Sequence, residues 1–242
     1  MPVRALLFDL DDTLYEERHY AESGLAAVAA EISRRWGIDA GAANKALREN
    51  FARSREKIFD RTLPDLGLPA GAETVARLVD VYRRHRPHIA FYPGVRDLLV
   101  RLKERFRIAV VTDGLPLMQR NKIAALELSA LTDATVYTWE DGRPKPDPAG
   151  FLAAADKLDV PPSACLIVGD DPDRDIAAAR AAEMAAVRVR TGRFAARPNP
   201  ENASPGADIA SVTLLEQVLT ENFDTNTSLT ANALKPPRIS ST

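Results

Sequence analysis

Three short runs of consecutive apolar residues stand out along the chain, and polar residues follow each of them within one or two positions. The runs span residues 5–8, 108–111 and 165–168. Continuous apolar runs of this length are typical of strands that are buried on both faces, as in a parallel sheet. Weaker apolar runs at residues 135–137 and 186–189 predict two further strands of the same sheet.

Apolar stripes at helical spacing lie between the predicted strands. They indicate helices after Gly94, after Pro148, over the alanine-rich residues 173–184 and over residues 214–219. The alternation of buried strands with amphipathic helices predicts a Rossmann-like, doubly wound parallel α/β sheet. Ligands of such sheets bind at the carboxyl ends of the strands. Those ends carry Asp9, Thr112 and Asp170.

The region between residues 16 and 91 breaks this alternation, because it has helical patterns and no convincing strand. One apolar stripe ends at Gly37, and another covers residues 75–82. An insertion of this length predicts a small helical domain at residues 16–91, within a catalytic core formed by residues 1–15 and 92–220. The insertion leaves the sheet at the end where the polar residues gather, so we expect it to cover the site.

Composition and charge narrow the class of protein. The 242 residues are 45% apolar and 27% charged, so a core can form, whereas residues 221–242 are rich in Asn, Thr, Ser and Pro and predict a disordered tail. The formal net charge of -2 supplies no global positive field for nucleic acid or an anionic membrane. The single cysteine, Cys165, excludes a disulfide framework. No apolar run approaches the ~18 residues of a membrane span. We therefore expect a cytoplasmic protein without nucleic-acid or membrane partners, of unknown oligomeric state.

Paired carboxylates follow the first predicted strand. Asp9 and Asp11 point the same way if the extended backbone continues past the strand. Two adjacent carboxylates repel each other and call for a cation or a shared proton. Oxygen ligands of this kind suit Mg²⁺, which usually keeps waters and also takes phosphate oxygens. The same residues also fit a helix cap or a turn, so this motif alone leaves both interpretations open.

Candidate phosphate-binding groups follow the second strand and the third. The hydroxyl of Thr112 and the amides of the turn at Asp113 and Gly114 suit phosphoryl oxygens, although these residues also suit a helix N-cap. Lys145 lies between two prolines, which restrict the backbone and can aim its ammonium group inward. A lysine so placed would neutralise charge in a carboxylate–phosphate site, and a solvated turn is the alternative.

The last strong strand ends in an acidic segment at residues 169–175. Asp170 is a candidate ligand that would complete a Mg²⁺ site. Asp175 is a candidate to orient Asp170 or a bound water without binding the ion itself. A capped helix start is the alternative. Taken together, an acid pair, a hydroxyl, a lysine and an acid at successive strand ends predict a phosphoryl-transfer site.

These four segments resemble, in order, the four motifs of the haloacid dehalogenase superfamily of phosphohydrolases. They are residues 9–13 (Asp-Leu-Asp-Asp-Thr), 111–114 (Val-Thr-Asp-Gly), 145–146 (Lys-Pro) and 169–175, which begins Gly-Asp and ends in Asp. The resemblance runs from about residue 4 to residue 220, and the helical insertion matches the cap of the family's first cap class. It implies a Rossmann-like core with an inserted all-helical cap domain.

The resemblance also implies a role for each acidic residue of the site. Asp9 is the nucleophile that becomes an aspartyl phosphate, and Asp11 is the general acid and base. The implied Mg²⁺ ligands are Asp9, the main-chain carbonyl of Asp11, and Asp170. Thr13 and Asp175 orient these ligands without binding the ion themselves.

The substrate-binding residues implied in the same way are Thr112 and Lys145, which hold the phosphoryl group, with Asp113 and Gly114 beside them. Asp113 is a departure from the family pattern, because relatives usually carry Asn at this position. A further carboxylate so close to an anionic substrate weakly disfavours phosphate.

Asp11 discriminates among the activities of the superfamily. Dehalogenases carry Tyr at this position and phosphonatases carry Ala, so Asp11 indicates phosphate monoesters. We therefore predict a Mg²⁺-dependent phosphatase of a small phosphorylated metabolite, of the sugar phosphate or nucleoside monophosphate class. A phosphomutase of the same superfamily stays an alternative. Another is a non-catalytic, receiver-like switch that accepts a phosphoryl group on Asp60, although the charged residues before Asp60 disfavour the buried strand that it needs.

Overall fold

The computed structural model describes residues 2–200 and 204–223. Six strands in this part of the chain form one sheet, and every neighbouring pair is parallel. The strands are β1 (Ala5–Phe8), β2 (Arg107–Thr112), β3 (Ala134–Tyr137), β4 (Cys165–Gly169), β5 (Ala185–Val189) and β6 (Ala207–Ile209). They lie in the order β3-β2-β1-β4-β5-β6. This is the Rossmann-like, doubly wound arrangement, so the predicted fold class is confirmed.

The sequence pattern does not predict the edge strand β6. This strand has three residues, and Asp208 in its middle is exposed and forms an ion pair with Arg190 at 2.9 Å. A short strand at a sheet edge commonly carries charged residues and needs no continuous apolar run. The apolar pattern therefore finds the inner strands and misses this one.

The register of the sheet fixes which residues meet at its carboxyl edge. Phe8, the last residue of β1, lies opposite Val110 on β2 and Val168 on β4. Parallel strands in register end at the same edge. That edge therefore carries the polar residues Asp9, Thr112 and Asp170.

Helices cover both faces of the sheet and form the insertion. The insertion contains α1 (Glu17–Trp36), α2 (Ala40–Arg53), α3 (Ile58–Asp65) and α4 (Ala72–Arg84), and the core contains α5 (Val95–Lys103), α6 (Pro116–Ala125), α7 (Ala149–Lys157), α8 (Ala177–Ala181) and α9 (Leu215–Val218). Leu6 and Phe8 of β1 belong to one apolar cluster, whereas Ala5 and Leu7 belong to the other. Alternate residues of a strand thus face two helical layers, as a doubly wound sheet requires.

Two predicted helices are less regular than the sequence pattern indicates. The alanine-rich segment begins as a π-helical turn, Pro172–Ile176, and only then becomes α8. Asp175 accepts a hydrogen bond from the backbone N–H of Asp171 at 3.1 Å, which ties this turn to the strand end. The late helix is a 3₁₀ turn, Val212–Leu214, followed by α9.

The insertion has an apolar core of its own. Leu25 and Ile32 of α1 are buried with Leu47 of α2 and Leu78 of α4. Gly37 ends α1 in the left-handed conformation with a φ of 71°, as the sequence predicts. An all-helical cap is therefore present between β1 and α5, while the exact domain boundaries stay a prediction.

The predicted tail lies mostly outside the described residues. Residues 221–223 belong to a π-helical turn, Leu219–Phe223, in which Phe223 packs against the apolar core. Residues 224–242 lie outside the described residues, so the tail stays a prediction.

A membrane span needs a helix of ~20 mostly apolar residues. Within the described ranges, no helix is both long enough and apolar enough to cross a membrane.

Candidate active site

Three buried carboxyl groups meet at the carboxyl edge of the sheet. Asp9 follows β1 directly, Asp170 follows β4 directly, and Asp175 lies in the π-helical turn after β4. One carboxylate oxygen of each lies within 4.8 Å of one oxygen of each of the others. The backbone N–H of Asp9 donates to the carbonyl of Val168 at 2.9 Å, which fixes Asp9 against the neighbouring strand. The fold thus brings together three residues that the sequence placed in one site.

Lys145 lies among these carboxyl groups and is itself buried. Its Nζ donates to Asp9 Oδ1 at 2.5 Å, to Asp175 Oδ1 at 2.7 Å and to the carbonyl oxygen of Val111 at 3.3 Å. Burial by itself would lower the pKa of Lys145, but the charges of Asp175 and Asp9 outweigh burial and raise that pKa above its ordinary value. Lys145 is therefore a fixed cation inside the site, and the alternative of a solvated turn is wrong.

One lysine does not neutralise three buried carboxyl groups. Burial raises the pKa of Asp9 to about 8, with Lys145 opposing the rise and Asp175 and Asp11 adding to it. Burial and the charges of Asp9 and Asp175 raise the pKa of Asp170 to about 9. Ordinary aspartates lose their protons near pH ~4. The electrostatics of the cluster therefore favour a further cation.

The donor set fits Mg²⁺. Asp170 Oδ2 is buried and has no hydrogen-bond partner among the described residues. Both oxygens of Asp175 are engaged, Oδ1 by Lys145 and Oδ2 by the N–H of Asp171 at 3.1 Å. The remaining carboxylate oxygens of the cluster lie on Asp9 and Asp170, which are two of the predicted metal ligands. All-oxygen, anionic ligands of this kind suit a hard divalent cation.

The residues between Asp11 and α1 connect the site to the cap. Thr13 is buried, and its hydroxyl lies 3.4 Å from Asp170 Oδ1. Asp12 has a φ of 58°, and its Oδ1 accepts a hydrogen bond at 2.9 Å from the N–H of Glu17, the first residue of α1. Asp12 is not among the predicted site residues, yet its side chain holds the start of the cap.

The carboxylate of Asp11 is held by side chains from other elements. Lys122 Nζ on α6 lies 2.8 Å from each carboxylate oxygen, and Gln119 Nε2 lies 3.4 Å from Oδ2. The hydroxyl of Tyr15 donates to Oδ1. Lys122 is buried, and its Nζ also lies 4.5 Å from the ring centroid of Tyr20 on α1. The predicted acid and base is thus the centre of a second polar cluster.

Lys122 and Gln119 are not among the site residues predicted from the sequence. A signal is nevertheless present, because the two are three residues apart and therefore share one face of α6. Both are buried on that face together with Ile123. An ammonium group on a buried helix face needs an acidic partner nearby.

Thr112, Asp113 and Gly114 do not all face the cleft. The hydroxyl of Thr112 is buried without a hydrogen-bond partner among the described residues. Asp113 Oδ1 accepts hydrogen bonds from the hydroxyl of Thr138 at 2.6 Å and from the N–H of Lys145 at 3.1 Å, so Asp113 holds the segment that carries Lys145. Gly114 has a φ of 123°. The N-cap alternative is wrong, because α6 begins at Pro116 and no side chain of the described residues caps it.

A polar cleft of about 200 Å³ opens over these groups. Asp113 lines it, whereas Thr112 and Gly114 are not among the lining residues in the described part of the chain. Among the described residues, eight acidic side chains line the cleft against four basic ones, which are Lys122, Lys145, Arg174 and Arg193. An acidic excess of this size repels an anionic ligand unless a cation offsets it.

A second cavity, of about 460 Å³, adjoins the cleft, and Glu17 lines both. We call it the cap cavity, because cap residues such as Phe59 and Tyr82 form much of its wall. Leu115, which precedes α6, and Met118, in the first turn of α6, complete that wall. The cap therefore contributes a largely apolar space next to the polar cleft.

Asp60 lies on α3 in the cap, and its side chain is exposed. A receiver-like site needs its accepting aspartate at the end of a strand beside the acid pair. The receiver-like alternative is therefore wrong.

Comparison with known proteins decides the family. The sequence model of the haloacid dehalogenase-like hydrolases matches residues 3–183. The chain belongs to this family. It is 33% identical over 207 residues to a glyceraldehyde 3-phosphate phosphatase of Methanopyrus kandleri, covering 79% of this chain and 86% of the relative. It is 31% identical over 166 residues to a phosphoserine phosphatase of Thermus thermophilus, covering 67% and 65%.

The solved structures of haloacid dehalogenase-like proteins share this fold. A 2-haloacid dehalogenase from Pseudomonas syringae pv. Tomato DC3000 superposes with a TM-score of 0.63 at 24% identity, covering 90% of this chain and 98% of the other. The predictions of the superfamily and of a phosphatase enzyme are thus confirmed by the family match and the relatives.

Proposed function

We propose that this haloacid dehalogenase-like hydrolase is a Mg²⁺-dependent phosphatase that cleaves small phosphate monoesters through an aspartyl phosphate on Asp9. One observation carries the proposal. The buried carboxyl group of Asp9 lies 2.5 Å from Lys145 at the strand edge, in a cleft whose acidic excess calls for a cation. A nucleophile, a fixed cation beside it and a place for a divalent cation are the parts that phosphoryl transfer uses.

Asp9, the main-chain carbonyl of Asp11, and Asp170 would hold Mg²⁺, with Thr13 and Asp175 supporting them. When bound, Mg²⁺ neutralises negative charge on the phosphoryl oxygens and on the surrounding carboxylates. The unpartnered oxygen of Asp170 supports this assignment, because a buried carboxylate oxygen without a partner is unfavourable. The raised pKa of Asp9 supports it as well, because a nearby cation favours the ionised form of a buried carboxyl group.

In the first step, a carboxylate oxygen of Asp9 attacks phosphorus while the bond from phosphorus to the ester oxygen breaks. The leaving oxygen receives a proton from Asp11. Lys145, which lines the cleft, is the donor assigned to the phosphoryl oxygens. The family resemblance adds the unpartnered hydroxyl of Thr112 and the amides of the turn at Asp113 and Gly114, although neither Thr112 nor Gly114 is among the described lining residues.

In the second step, Asp11, which has given its proton to the leaving group, accepts a proton from a water molecule that attacks the phosphorus of the aspartyl phosphate. The bond between Asp9 and phosphorus breaks, inorganic phosphate leaves, and Asp9 and Asp11 return to their starting states. Lys122, at 2.8 Å from both oxygens of Asp11, keeps this group in place for both steps. Acid–base help of this kind typically contributes ~10²- to 10⁴-fold to the rate.

We assign the leaving group to the cap cavity, which adjoins the cleft at Glu17. Glu17 forms an ion pair with Arg55 at 2.8 Å, and both residues line the cap cavity. A cavity of about 460 Å³ suits a small metabolite. The relatives named for triose phosphate and phosphoserine support a substrate of this size. We propose a substrate of the sugar phosphate or nucleoside monophosphate class.

A phosphate-release assay tests the proposal on a panel of sugar phosphates, nucleoside monophosphates and phosphorylated hydroxy acids. We expect release with Mg²⁺ and none with a chelator. Asp9→Asn should abolish release, whereas Asp97→Asn, which changes an exposed carboxylate on α5, should keep the wild-type rate. Undiminished release by Asp9→Asn or by metal-free protein would contradict the proposal. Conversion of one ester into another without phosphate release would identify a phosphomutase instead.

A further inference from the structure

Arg188 on β5 is completely buried, with 0% of its surface exposed. Arginine is almost never fully buried unless it is paired. Among the described residues Arg188 has no carboxylate partner, and its three hydrogen bonds go to two carbonyl oxygens and an amide oxygen. An apolar side chain would fill this position without the desolvation cost of a cation. The guanidinium group is therefore best explained by what it donates to.

The donors of Arg188 connect two separate segments of the site. Nε donates to the main-chain carbonyl of Asp170 at 3.3 Å. Nη2 donates to the carbonyl of Phe194 at 2.8 Å, and Nη1 donates to the side-chain oxygen of Asn199 at 2.5 Å. Phe194 and Asn199 lie in residues 191–199, which follow β5 and which we call the cleft loop. One planar group thus joins the end of β4 to the cleft loop.

The cleft loop forms part of the wall of the active-site cleft. Arg193 and Phe194 line the cleft together with the acidic cluster. The N–H of Arg193 donates to Asp12 Oδ2 at 3.3 Å, and the hydroxyl of Thr191 donates to the carbonyl of Asp12. The cleft loop is therefore bound near its start to Asp12, which lies in the same motif as Asp9. Farther along, it is bound to Arg188 through Phe194 and Asn199.

We propose that Arg188 is a positioning residue that fixes the main chain of Asp170 relative to the cleft loop, and thereby sets both a Mg²⁺ ligand and the cleft wall. The proposal rests on the proposed function, which assigns Asp170 to the metal. A guanidinium group is a rigid fork of donors, so it holds its acceptors at fixed separations. A lysine carries the same charge but has no such fork, and a methionine has neither charge nor donors.

Arg190 provides a matched control on the same segment. Its Nη1 donates to the carbonyls of Arg197 at 2.7 Å and Ala195 at 3.4 Å in the cleft loop, and it pairs with Asp208 at 2.9 Å. In the described part of the chain, Arg190 has no hydrogen bond to Asp170. Loss of Arg190 should therefore loosen the cleft loop and leave the metal site in place.

The test compares Arg188→Met, Arg188→Lys and Arg190→Met with the wild-type protein. Calorimetry measures Mg²⁺ binding, and hydrogen exchange of the metal-free protein measures the order of each segment. We expect Arg188→Met to weaken Mg²⁺ binding by ~10- to 100-fold, as loss of a group behind a metal ligand typically does. Exchange should rise both at residues 170–171 and in the cleft loop. Arg188→Lys should fall between wild type and Arg188→Met.

For Arg190→Met we expect faster exchange in the cleft loop alone and unchanged Mg²⁺ affinity. If Arg188→Met does not fold, Asn199→Ala removes one acceptor of Arg188 and should weaken Mg²⁺ binding in the same direction by a smaller factor. Wild-type Mg²⁺ affinity in a folded Arg188→Met, or an equal loss in Arg190→Met, would overturn the proposal. A wild-type protein that binds no Mg²⁺ would refute the proposed metal site instead, and hydrogen exchange at residues 170–171 would then decide the role of Arg188.

Discussion

The ammonium group of Lys122 lies 2.8 Å from each carboxylate oxygen of Asp11, although the two residues are 111 positions apart in the chain. The carboxyl group that the proposed mechanism uses as acid and base is thus held by a buried cation from α6. This contact is separate from the contact of Lys145 with Asp9. Asp9 and Asp11 of the first motif therefore each contact a different lysine.

Replacing Lys122 by Met should lower kcat by ~10- to 100-fold, because Asp11 loses the group that orients it while the chemistry of Asp11 itself remains. KM should change little, since Lys122 contacts Asp11 rather than the assigned leaving-group cavity. Lys157→Met, which changes an exposed lysine at the end of α7, is the matched control. Steady-state kinetics measure kcat and KM of both variants. A wild-type kcat in a folded Lys122→Met would contradict the proposal that Lys122 orients Asp11.

Asp113 permits a prediction that separates its charge from its hydrogen bonds. Oδ1 accepts both the hydroxyl of Thr138 and the N–H of Lys145, whereas Oδ2 lies 3.4 Å from Arg174. Asp113→Asn can keep both bonds to Oδ1, so its kcat should stay within ~3-fold of wild type. Asp113→Ala removes these bonds and should lower kcat by ~10-fold or more. Equal activity in the two variants would show that these hydrogen bonds do not position Lys145.

The stability of the metal-free protein should depend on pH through the acidic cluster. Burial raises the pKa of Asp9 to about 8 and that of Asp170 to about 9, while both are ~3.9 in an unfolded chain. At pH values between the unfolded and the folded pKa values, the folded protein therefore binds more protons than the unfolded chain. The stabilisation is therefore complete below pH ~4 and is lost as the pH rises through the folded pKa values.

Urea unfolding with a chelator should accordingly give a free energy of unfolding that falls between pH ~5 and pH ~9. Added Mg²⁺ should stabilise the protein more at the higher pH, because the cation binds the ionised carboxylates. Asp170→Asn should remove part of this pH dependence. Identical pH profiles with and without Mg²⁺ would contradict the proposed metal site.

Most of the fold follows from the sequence because the inner strands are buried on both faces. β1, β2 and β4 each contain a continuous apolar run, whereas β6 at the edge has Asp208 in its middle and gives no such signal. Helical periodicity also fails to predict the π-helical turn before α8. That turn depends on the hydrogen bond from the N–H of Asp171 to Asp175, which forms at the end of the neighbouring strand.

The residues of the site also fall into those that the sequence predicts and those that it does not. Asp9, Asp170 and Lys145 are predictable, since they occur at strand ends or between prolines in recognisable local motifs. Lys122 and Arg188 are not, because each acquires its role from a partner that is distant in sequence. Arg188 is the fourth of five residues in the otherwise apolar strand β5, and the pattern alone does not reveal that it is buried or that it contacts Asp170.

The central claim is that Asp9 carries the phosphoryl group and Asp11 transfers protons. Rapid-quench experiments with a labelled, activated aryl phosphate test it most directly, because such a leaving group departs without needing a proton. Asp11→Asn keeps the nucleophile but lacks the base for hydrolysis, so it should accumulate acid-stable, hydroxylamine-labile label on the protein. Asp9→Asn should accumulate none. Label on Asp9→Asn, or full steady-state turnover by that variant, would contradict the assignment of the nucleophile.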